Sequence, residues 1–212
     1  MSKFSFDTIK DFDKHIKDSI PNYDLLSEGI VSLSKFFLDK TAVYFDVGCS
    51  TGRMLELIPH DGLKIGLDNS KNLLPESHDA VVYKNVDLNE GYEFKNACLI
   101  TSIFTLQFLR FDSRRKLIQQ IYDGLNEGGG LIVAEKVFSN DSQLQEMLNF
   151  SLYDYKDKAF SSQEILDKEK SLRKILKPNT SAENQRIFEE VGFKRLGIFW
   201  KFYNFECWIY IK

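Results

Sequence analysis

The stretch Val43-Tyr44-Phe45-Asp46-Val47-Gly48-Cys49-Ser50-Thr51-Gly52, together with Asp68 at the end of a second apolar run, decides the fold of this chain. An apolar run that ends in an acidic residue and a two-glycine turn predicts a buried strand that leads into a helix. Backbone N–H groups at such a turn are free to meet a ligand. The chain is therefore expected to open with a nucleotide-type pocket.

The glycine spacing separates this turn from the dinucleotide fingerprint G-x-G-x-x-G. In that fingerprint the middle glycine lets the backbone approach a pyrophosphate, whereas here Ser50 occupies the position. The pattern D-x-G-C-S-x-G resembles instead the first motif of class I S-adenosylmethionine (SAM) enzymes, whose ligand carries no phosphate. Asp68 follows Gly48 by 20 residues, an offset at which a carboxylate accepts hydrogen bonds from ribose hydroxyls. The alternative is a plain strand-turn-helix in which Asp68 caps a helix before Ser70.

The composition indicates one compact domain. The chain has 212 residues, of which 43% are hydrophobic and 14% aromatic, which excludes a disordered chain. A formal net charge of −3 supplies no long-range attraction to nucleic acid, so direct nucleic-acid binding is not expected. No apolar run approaches the roughly 18 residues of a membrane span, and no early segment has the form of a signal peptide. We expect a cytoplasmic protein without membrane contact.

The cysteines and histidines predict neither a disulfide nor a metal site. The cysteines are odd in number and lie in apolar surroundings, which favours buried thiols in a reducing compartment. The histidines are scattered, without the spacing of metal ligands. The residues concerned are Cys49, Cys98, Cys207, His15, His60 and His78.

Strand and helix patterns alternate along the chain. Apolar residues at helical spacing predict helices over 12–20 and 25–38, divided by Pro21, and a helix over 114–125 that ends at a glycine run. Strand patterns occur at 42–47, 64–67, 80–83, 97–102 and 131–135. This alternation predicts an α/β fold with a doubly wound, mostly parallel sheet and a ligand site at the carboxyl ends of its strands.

The second half of the chain predicts helices over 142–156 and 162–176, followed by apolar runs at 193–200 and 203–211. Too few residues join these runs for a crossover helix, so they should form an antiparallel hairpin. A seven-stranded sheet finished by such a hairpin is the class I methyltransferase architecture. We expect one domain over 1–212, with a helical cap at 1–40 and inserted helices over the site at 138–178. Aromatic residues at 199–210 predict a second buried face, covered by a dimer partner or by a lid.

A narrower resemblance extends in order from about residue 4 to the C-terminus. The chain resembles the carboxy-S-adenosylmethionine (carboxy-SAM) synthase family, and the order and spacing of the segments make the resemblance specific. The segments are Ser19-Ile20-Pro21-Asn22-Tyr23, Asp46-Val47-Gly48-Cys49-Ser50-Thr51-Gly52, Leu67-Asp68-Asn69-Ser70, Phe104-Thr105-Leu106-Gln107-Phe108-Leu109, Leu125-Asn126-Glu127-Gly128-Gly129, Ala134-Glu135-Lys136, Val191-Gly192-Phe193 and Tyr203-Asn204-Phe205.

The resemblance implies a SAM-using transferase that is usually a homodimer and acts on a small molecule. The family takes carbon dioxide from prephenate and joins it to the methyl carbon of SAM. A partner enzyme uses the product to modify wobble uridine in tRNA. Such a pocket has to exclude water and then hold an additional carboxylate, for which a fixed cation is expected.

The resemblance also implies the residues that contact SAM. The family's cofactor-contacting tyrosine matches Tyr23, and its glycine loop matches Gly48, Cys49 and Ser50. Its ribose-binding pair matches Asp68 and Asn69, and its adenine-side pair matches Asp87 and Leu88. A one-residue gap leaves Asn85 with Val86 as an alternative adenine pair. The general base is not identified by the sequence. Glu135 is the first candidate for a polar role at the substrate edge, and its alternative is a pair with Lys136 or Arg53.

Two departures from the family pattern bear on the chemistry. Ile103 stands where the family has an asparagine, and Glu169 stands where the family's arginine pairs with the added carboxylate. Arg173 lies one helical turn after Glu169, and Lys168 and Lys170 flank Glu169. A cation from one of these residues can therefore still reach the substrate site. The alternative is a surface pair between Glu169 and Arg173. Two other functions therefore stay open, a SAM-dependent methyltransferase and a catalytically silent SAM-binding protein.

Overall fold

The computed structural model describes residue 9 and residues 11–212, so part of the predicted cap over 1–40 lies outside the described residues. Within this part the strands are β1 (Val43–Val47), β2 (Lys64–Asp68), β3 (Val81–Asn85), β4 (Ala97–Ile103), β5 (Leu125–Lys136), β6 (Lys194–Phe202) and β7 (Phe205–Ile211). The helices are α1 (Phe12–Ser19), α2 (Tyr23–Ser34), α3 (Arg53–Leu57), α4 (Phe111–Gly124), α5 (Ser142–Lys156), α6 (Ser162–Leu172) and α7 (Ser181–Val191). A 3₁₀ turn covers Leu106–Phe108.

The strands form one sheet of seven in the order β3-β2-β1-β4-β5-β7-β6. The first five strands are parallel, and Phe45 at the centre of β1 lies opposite Ile65 of β2 and Ile100 of β4. β7 pairs antiparallel with both β5 and β6, which confirms the predicted hairpin. The order reverses between β1 and β4, and in such a sheet this is where a ligand binds.

Alternating residues of each strand enter two apolar cores, one on each face of the sheet. On one face Tyr44 of β1 packs with residues of α2 and α3 such as Ile30 and Leu55. On the other face Phe45 packs with residues of α4 and α7 such as Ile121 and Phe188. Both faces are buried because helices cover them, as the predicted doubly wound architecture requires.

The strand β5 starts six residues earlier than predicted, since the predicted strand began at 131 and β5 begins at Leu125. The sequence pattern predicts for the glycine run only the end of the preceding helix. Gly128 N donates to Lys212 O (3.2 Å) and Lys212 N donates to Gly129 O (3.1 Å), so the run pairs with the end of the chain. A Cβ at position 130 would overlap the ring of Phe37. These partners are remote in sequence, and local patterns did not reveal them.

The helix α7 was not among the predicted helices. Its first turn carries a capping box, in which Thr180 Oγ1 accepts from Glu183 N and the Glu183 carboxylate accepts from Thr180 N. Gly192 ends the helix at φ 118. Both signals stand in the sequence. The helix α6 ends at Leu172 instead of the predicted 176, and residues 173–175 form a turn.

The aromatic residues of the hairpin are covered by helices of the same chain. Trp208 and Tyr210 are fully buried, and Tyr210 stacks on Phe188 of α7 at a centroid distance of 4.5 Å. Phe199 of β6 lies against Gly29 of α2. The second buried face predicted from the sequence is therefore closed within one chain.

Candidate functional site

A cavity of about 250 Å³ opens at the carboxyl ends of the parallel strands. Its walls come from β1, β2, the segments after β3 and β4, the end of β5, the start of β7, and helices α1, α2, α3, α5 and α6. All the residues predicted to contact the cofactor line this one cavity, namely Tyr23, Gly48, Cys49, Ser50, Asp68, Asn69, Asp87 and Leu88. The topology thus brings together segments that are up to 65 residues apart, from Tyr23 to Leu88.

The turn after β1 takes a backbone that requires its glycines. Gly48 and Gly52 both have φ 78, and a Cβ at Gly48 would overlap the side chain of Thr105. The expectation that the amides of this turn are free was wrong at several positions. Gly48 N and Cys49 N donate to Leu67 O (2.7 and 3.1 Å), and Gly52 N donates to Cys49 O (2.8 Å). The turn therefore shapes the cavity and does not present these amides to a ligand.

The carboxylate of Asp68 is held in a fixed position at the end of β2. Its Oδ2 accepts from Ser50 N (2.9 Å) and its Oδ1 accepts from Ser70 N (2.7 Å). The sequence offered a helix cap by Asp68 before Ser70 as an alternative; the bond to Ser70 N is present, but residues 71–73 form a turn and not a helix, so that alternative was wrong. Each oxygen of a carboxylate has two acceptor positions, so both oxygens keep one for a ligand.

The adenine side of the predicted site is formed by the segment after β3. Asp87 and Leu88 line the cavity, and Asp87 Oδ1 accepts from Asn89 N (2.9 Å). Asn85, from the alternative pair, donates its side-chain amide to Asp68 O (3.1 Å) and is not among the described residues that line the cavity. Val86, the other member of that pair, does line the cavity.

Asp46 is a cavity residue to which sequence reasoning assigned no role. The residue is 3% exposed, and Thr101 Oγ1 donates to its Oδ1 at 2.6 Å. Burial raises the pKa of Asp46 to about 7, the Thr101 hydrogen bond lowers it, and the charge of Asp68 raises it further. The available signal was an acidic residue in an otherwise apolar strand.

Glu135 fixes the loop after β4. Its carboxylate is buried and accepts from Leu106 N (2.9 Å) and Gln107 N (2.8 Å). Burial raises the pKa of Glu135 to about 8, although the charge of Arg114 and these amides oppose the shift. Glu135 is not among the described residues that line the cavity, so neither the predicted substrate contact nor the pair with Lys136 or Arg53 is found. Its role is to hold the turn that carries Gln107.

Glu169 lines the cavity and is paired with a lysine that the sequence analysis did not identify. Lys156 Nζ lies 2.9 Å from Glu169 Oε1, and the two side chains are 8% and 17% exposed. The alternative of a surface pair with Arg173 was therefore wrong. Arg173 is exposed and is not among the described residues that line the cavity. Lys156 lies at the end of α5, and no local sequence pattern predicts that it pairs with Glu169.

Lys136 and Lys168 also line the cavity, and both act on the carboxylate of Glu169. Lys168 Nζ donates to Ser19 Oγ (2.9 Å) and to the ring of His15. Burial lowers the pKa of Lys168 to about 8 and that of His15 to about 4, and in both cases a neighbouring lysine lowers it further. Burial alone would raise the pKa of Glu169, but the charges of Lys156, Lys136 and Lys168 outweigh it and lower the pKa.

Contacts between α1 and the later helices close the cavity. Tyr155 OH donates to Lys17 O (2.8 Å), which joins α5 to α1. The Lys168 contacts join α6 to α1. Arg53 of α3 donates to Asp24 of α2 at 2.9 Å. The structure thus brings the N-terminal helices and the helices after β5 to the same side of the sheet edge.

The residues of this cavity fit SAM. A nucleoside presents hydroxyl and amine donors, and Asp68 and Asp87 present the matching acceptors. Tyr23, Phe104 and Leu88 supply apolar surface for the rest of the molecule. The one cation beside the glycine turn among the described lining residues, Arg53, is already paired with Asp24. This arrangement suits a ligand without phosphate.

Residue 9 and residues 11–212 contain neither a metal site nor a helix that could span a membrane. No group of three or more His, Cys, Asp and Glu side chains in this part of the chain is placed to hold a metal ion. No helix there is long and apolar enough to cross a membrane. The three cysteines are free and buried, which confirms the predicted thiols.

Comparison with known proteins identifies the family. The carboxy-S-adenosyl-L-methionine synthase of Staphylococcus epidermidis is 32% identical over 214 residues, which cover 97% of this chain and 94% of that protein. The synthase of Methylococcus capsulatus is 34% identical over 217 residues, which cover 95% of this chain and 89% of that protein. No family model matches the chain.

Solved structures show the fold. A magnesium protoporphyrin IX methyltransferase from Synechocystis with bound S-adenosylhomocysteine (SAH) has a TM-score of 0.63 at 13% identity, over 100% of this chain and 90% of that one. A SAM-dependent methyltransferase from Mesorhizobium loti has a TM-score of 0.58 at 12% identity, over 88% of this chain and 100% of that one. The predicted class I fold, SAM-type cofactor and SAM-using transferase are confirmed. With relatives above 30% identity along nearly its whole length, this chain belongs to the carboxy-S-adenosyl-L-methionine synthase family.

Proposed function

We propose that the chain is a carboxy-SAM synthase, which transfers a carboxyl group from prephenate to SAM. Its product would serve a partner enzyme that modifies wobble uridine in tRNA. The family supports this proposal. The observation that carries it for this chain is that Lys136, Lys156 and Lys168 all line the cavity that holds Glu169. Positive charge is therefore retained where the family's arginine is replaced by a carboxylate.

The proposed roles of the cavity residues follow from their chemistry. Asp68 would accept hydrogen bonds from the ribose hydroxyls, and Asp87 would accept one from the adenine amine. When bound, SAM supplies a sulfonium-activated methyl carbon to the reaction. Ile103, Phe104 and Tyr23 present apolar surface to the cavity and would exclude water from it.

We further propose that the chain is one domain in which the cap over 1–40 and the helices of 138–178 close the site. The hydrogen bonds of Tyr155 to Lys17 and of Lys168 to Ser19 support this arrangement, because they join the two segments directly. Substrate enclosure of this kind strengthens every electrostatic contact inside the cavity.

A homodimer is also proposed, as the family resemblance implies. Strand β6 is an edge of the sheet, and its residues Leu196 and Ile198 are 53% and 39% exposed. Such an edge offers apolar surface to a second copy. Size-exclusion chromatography with light scattering tests the state of assembly, and a monomer at micromolar concentration would contradict a stable dimer.

The function is tested by incubating the purified protein with SAM and prephenate and analysing the small molecules by mass spectrometry. A synthase yields a species heavier than SAM by one carbon dioxide, and it yields none without prephenate. An Asp68→Ala variant that keeps its circular dichroism spectrum is the control, since it is expected to lose the product. The proposal is wrong if every sample contains SAM or SAH and no heavier species.

A SAM-dependent methyltransferase is the second candidate. Ile103 favours it, because this cavity residue presents no hydrogen-bonding group where the family has an asparagine. The same mass spectra separate the two functions, since a methyltransferase yields no species heavier than SAM with prephenate and forms SAH only when a methyl acceptor is added.

A further inference from the structure

The cavity is divided in charge along the edge of the sheet. In the strand order β3-β2-β1-β4-β5, carboxylates stand within two residues of the ends of the first three strands, at Asp87, Asp68 and Asp46. Lys136 stands at the end of β5, on the other side of the switch point. A ligand that spans the cavity therefore meets acceptors at one end and cations at the other.

Three lysines from three different elements meet at the basic end. Lys136 ends β5, Lys156 ends α5 and Lys168 lies in α6, and all of them influence the titration of Glu169. When all are ionised, three positive charges and one negative charge leave a net charge of +2 on this cluster.

The charged groups of the cluster differ in how they are paired. Lys156 is nearly buried and pairs with Glu169 at 2.9 Å. Lys168 donates to the neutral groups of Ser19 and His15. Within residue 9 and residues 11–212, no carboxylate forms an ion pair with Lys136. Glu169 therefore forms its ion pair with Lys156, and Lys136 is influenced by the charge of Glu169 without forming an ion pair with it.

Like charges in a partly desolvated cavity are costly unless an anion joins them. Burial lowers the pKa of Lys136, and the charges of Lys156 and Arg173 lower it further, although the charge of Glu169 opposes this. A carboxylate placed beside Lys136 would relieve this repulsion and would accept charge-assisted hydrogen bonds.

We infer that Lys136, supported by Lys168, is the residue that binds the carboxylate added to SAM and so distinguishes carboxy-SAM from SAM. Glu169 does not contact that carboxylate, because its charge is held by Lys156. The inference rests on the proposed function and assigns to two lysines the role that an arginine has in the family pattern.

The test compares the dissociation constants of carboxy-SAM and SAM by isothermal titration calorimetry. The variants are Lys136→Met and Lys168→Met, which keep most of the apolar stem and remove the charge. Lys170→Met is the matched control, since Lys170 is exposed on the same helix as Lys168 and is not among the described residues that line the cavity. Thermal unfolding of each variant establishes that it is folded.

The wild type is expected to bind carboxy-SAM more tightly than SAM. In Lys136→Met this preference should fall by about tenfold to a hundredfold, the range typical of a hydrogen bond to a charged group. Lys168→Met should lower it less, and Lys170→Met should leave it unchanged. The affinity for SAM itself should stay within about threefold of the wild type, as expected when a ligand loses no direct hydrogen bond.

Two results would overturn the inference. If Lys136→Met weakens SAM and carboxy-SAM equally, the lysine binds the methionine carboxylate that both ligands share. If Arg173→Met, rather than Lys136→Met, lowers the preference, the exposed arginine supplies the cation. Failure of the wild type to bind either ligand would instead remove the proposed function, so the two failures are distinguishable.

Discussion

Replacement of Glu169 by glutamine is expected to destabilise the folded chain by about 3 kcal/mol. Glu169 lies 2.9 Å from Lys156, and at an effective dielectric constant near 20 their attraction is about 6 kcal/mol before desolvation. The net loss is smaller because both charges were removed from water. It is still substantial, because Lys156 would be left nearly buried with Lys136 and Lys168 as neighbours and no carboxylate.

For a chain of this length about 3 kcal/mol corresponds to a fall in Tm of roughly 6 to 12 °C. The assay is urea and thermal unfolding followed by circular dichroism, in the absence of ligand because binding would add its own stabilisation. Asp167→Asn is the matched control, since Asp167 is exposed on the same helix. Its free energy of unfolding should stay within about 0.5 kcal/mol of the wild type.

The double variant Lys156→Met/Glu169→Leu completes the test. Apolar residues of similar size remove both charges together, and such replacements of buried pairs are often neutral, so it should be more stable than Glu169→Gln. The gap between the wild type and Glu169→Gln should also close as the pH falls below 4.5, the ordinary pKa of glutamate, because the folded-state pKa of Glu169 is lowered. A Glu169→Gln variant as stable as the wild type at pH 7 would refute the reasoning.

Two further predictions concern binding. The preference for carboxy-SAM over SAM should fall as the pH rises through about 8, because Lys168 then loses its charge. The groups that face Lys168 are His15, Ser19, Lys156 and Glu169. A preference measured by calorimetry that stays constant between about pH 7 and 9 would contradict this prediction. Asp68→Asn should weaken SAH binding about tenfold or more, since an amide cannot accept from both Ser50 N and Ser70 N; an unchanged dissociation constant would exclude Asp68 from the site.

The sequence by itself determined the fold class, because its signals are local. The alternation of apolar runs with helical patterns gave the strands β1 to β4, and the spacing from Gly48 to Asp68 placed two segments of the site at one edge of the sheet. Signals of this kind are carried by residue types and their spacing along the chain, so they can be recognised without knowledge of neighbours in space.

Only the tertiary structure decided the electrostatics of the site. Glu169 reads as a loss of positive charge in the sequence, yet it binds Lys156 from another helix while Lys136 and Lys168 enter the same cavity. The amides of the glycine turn read as free, yet Leu67 O and Asp68 accept from them. Charge and hydrogen-bond partners are set by distances of a few ångströms between remote segments, which the order of residues along the chain does not encode locally.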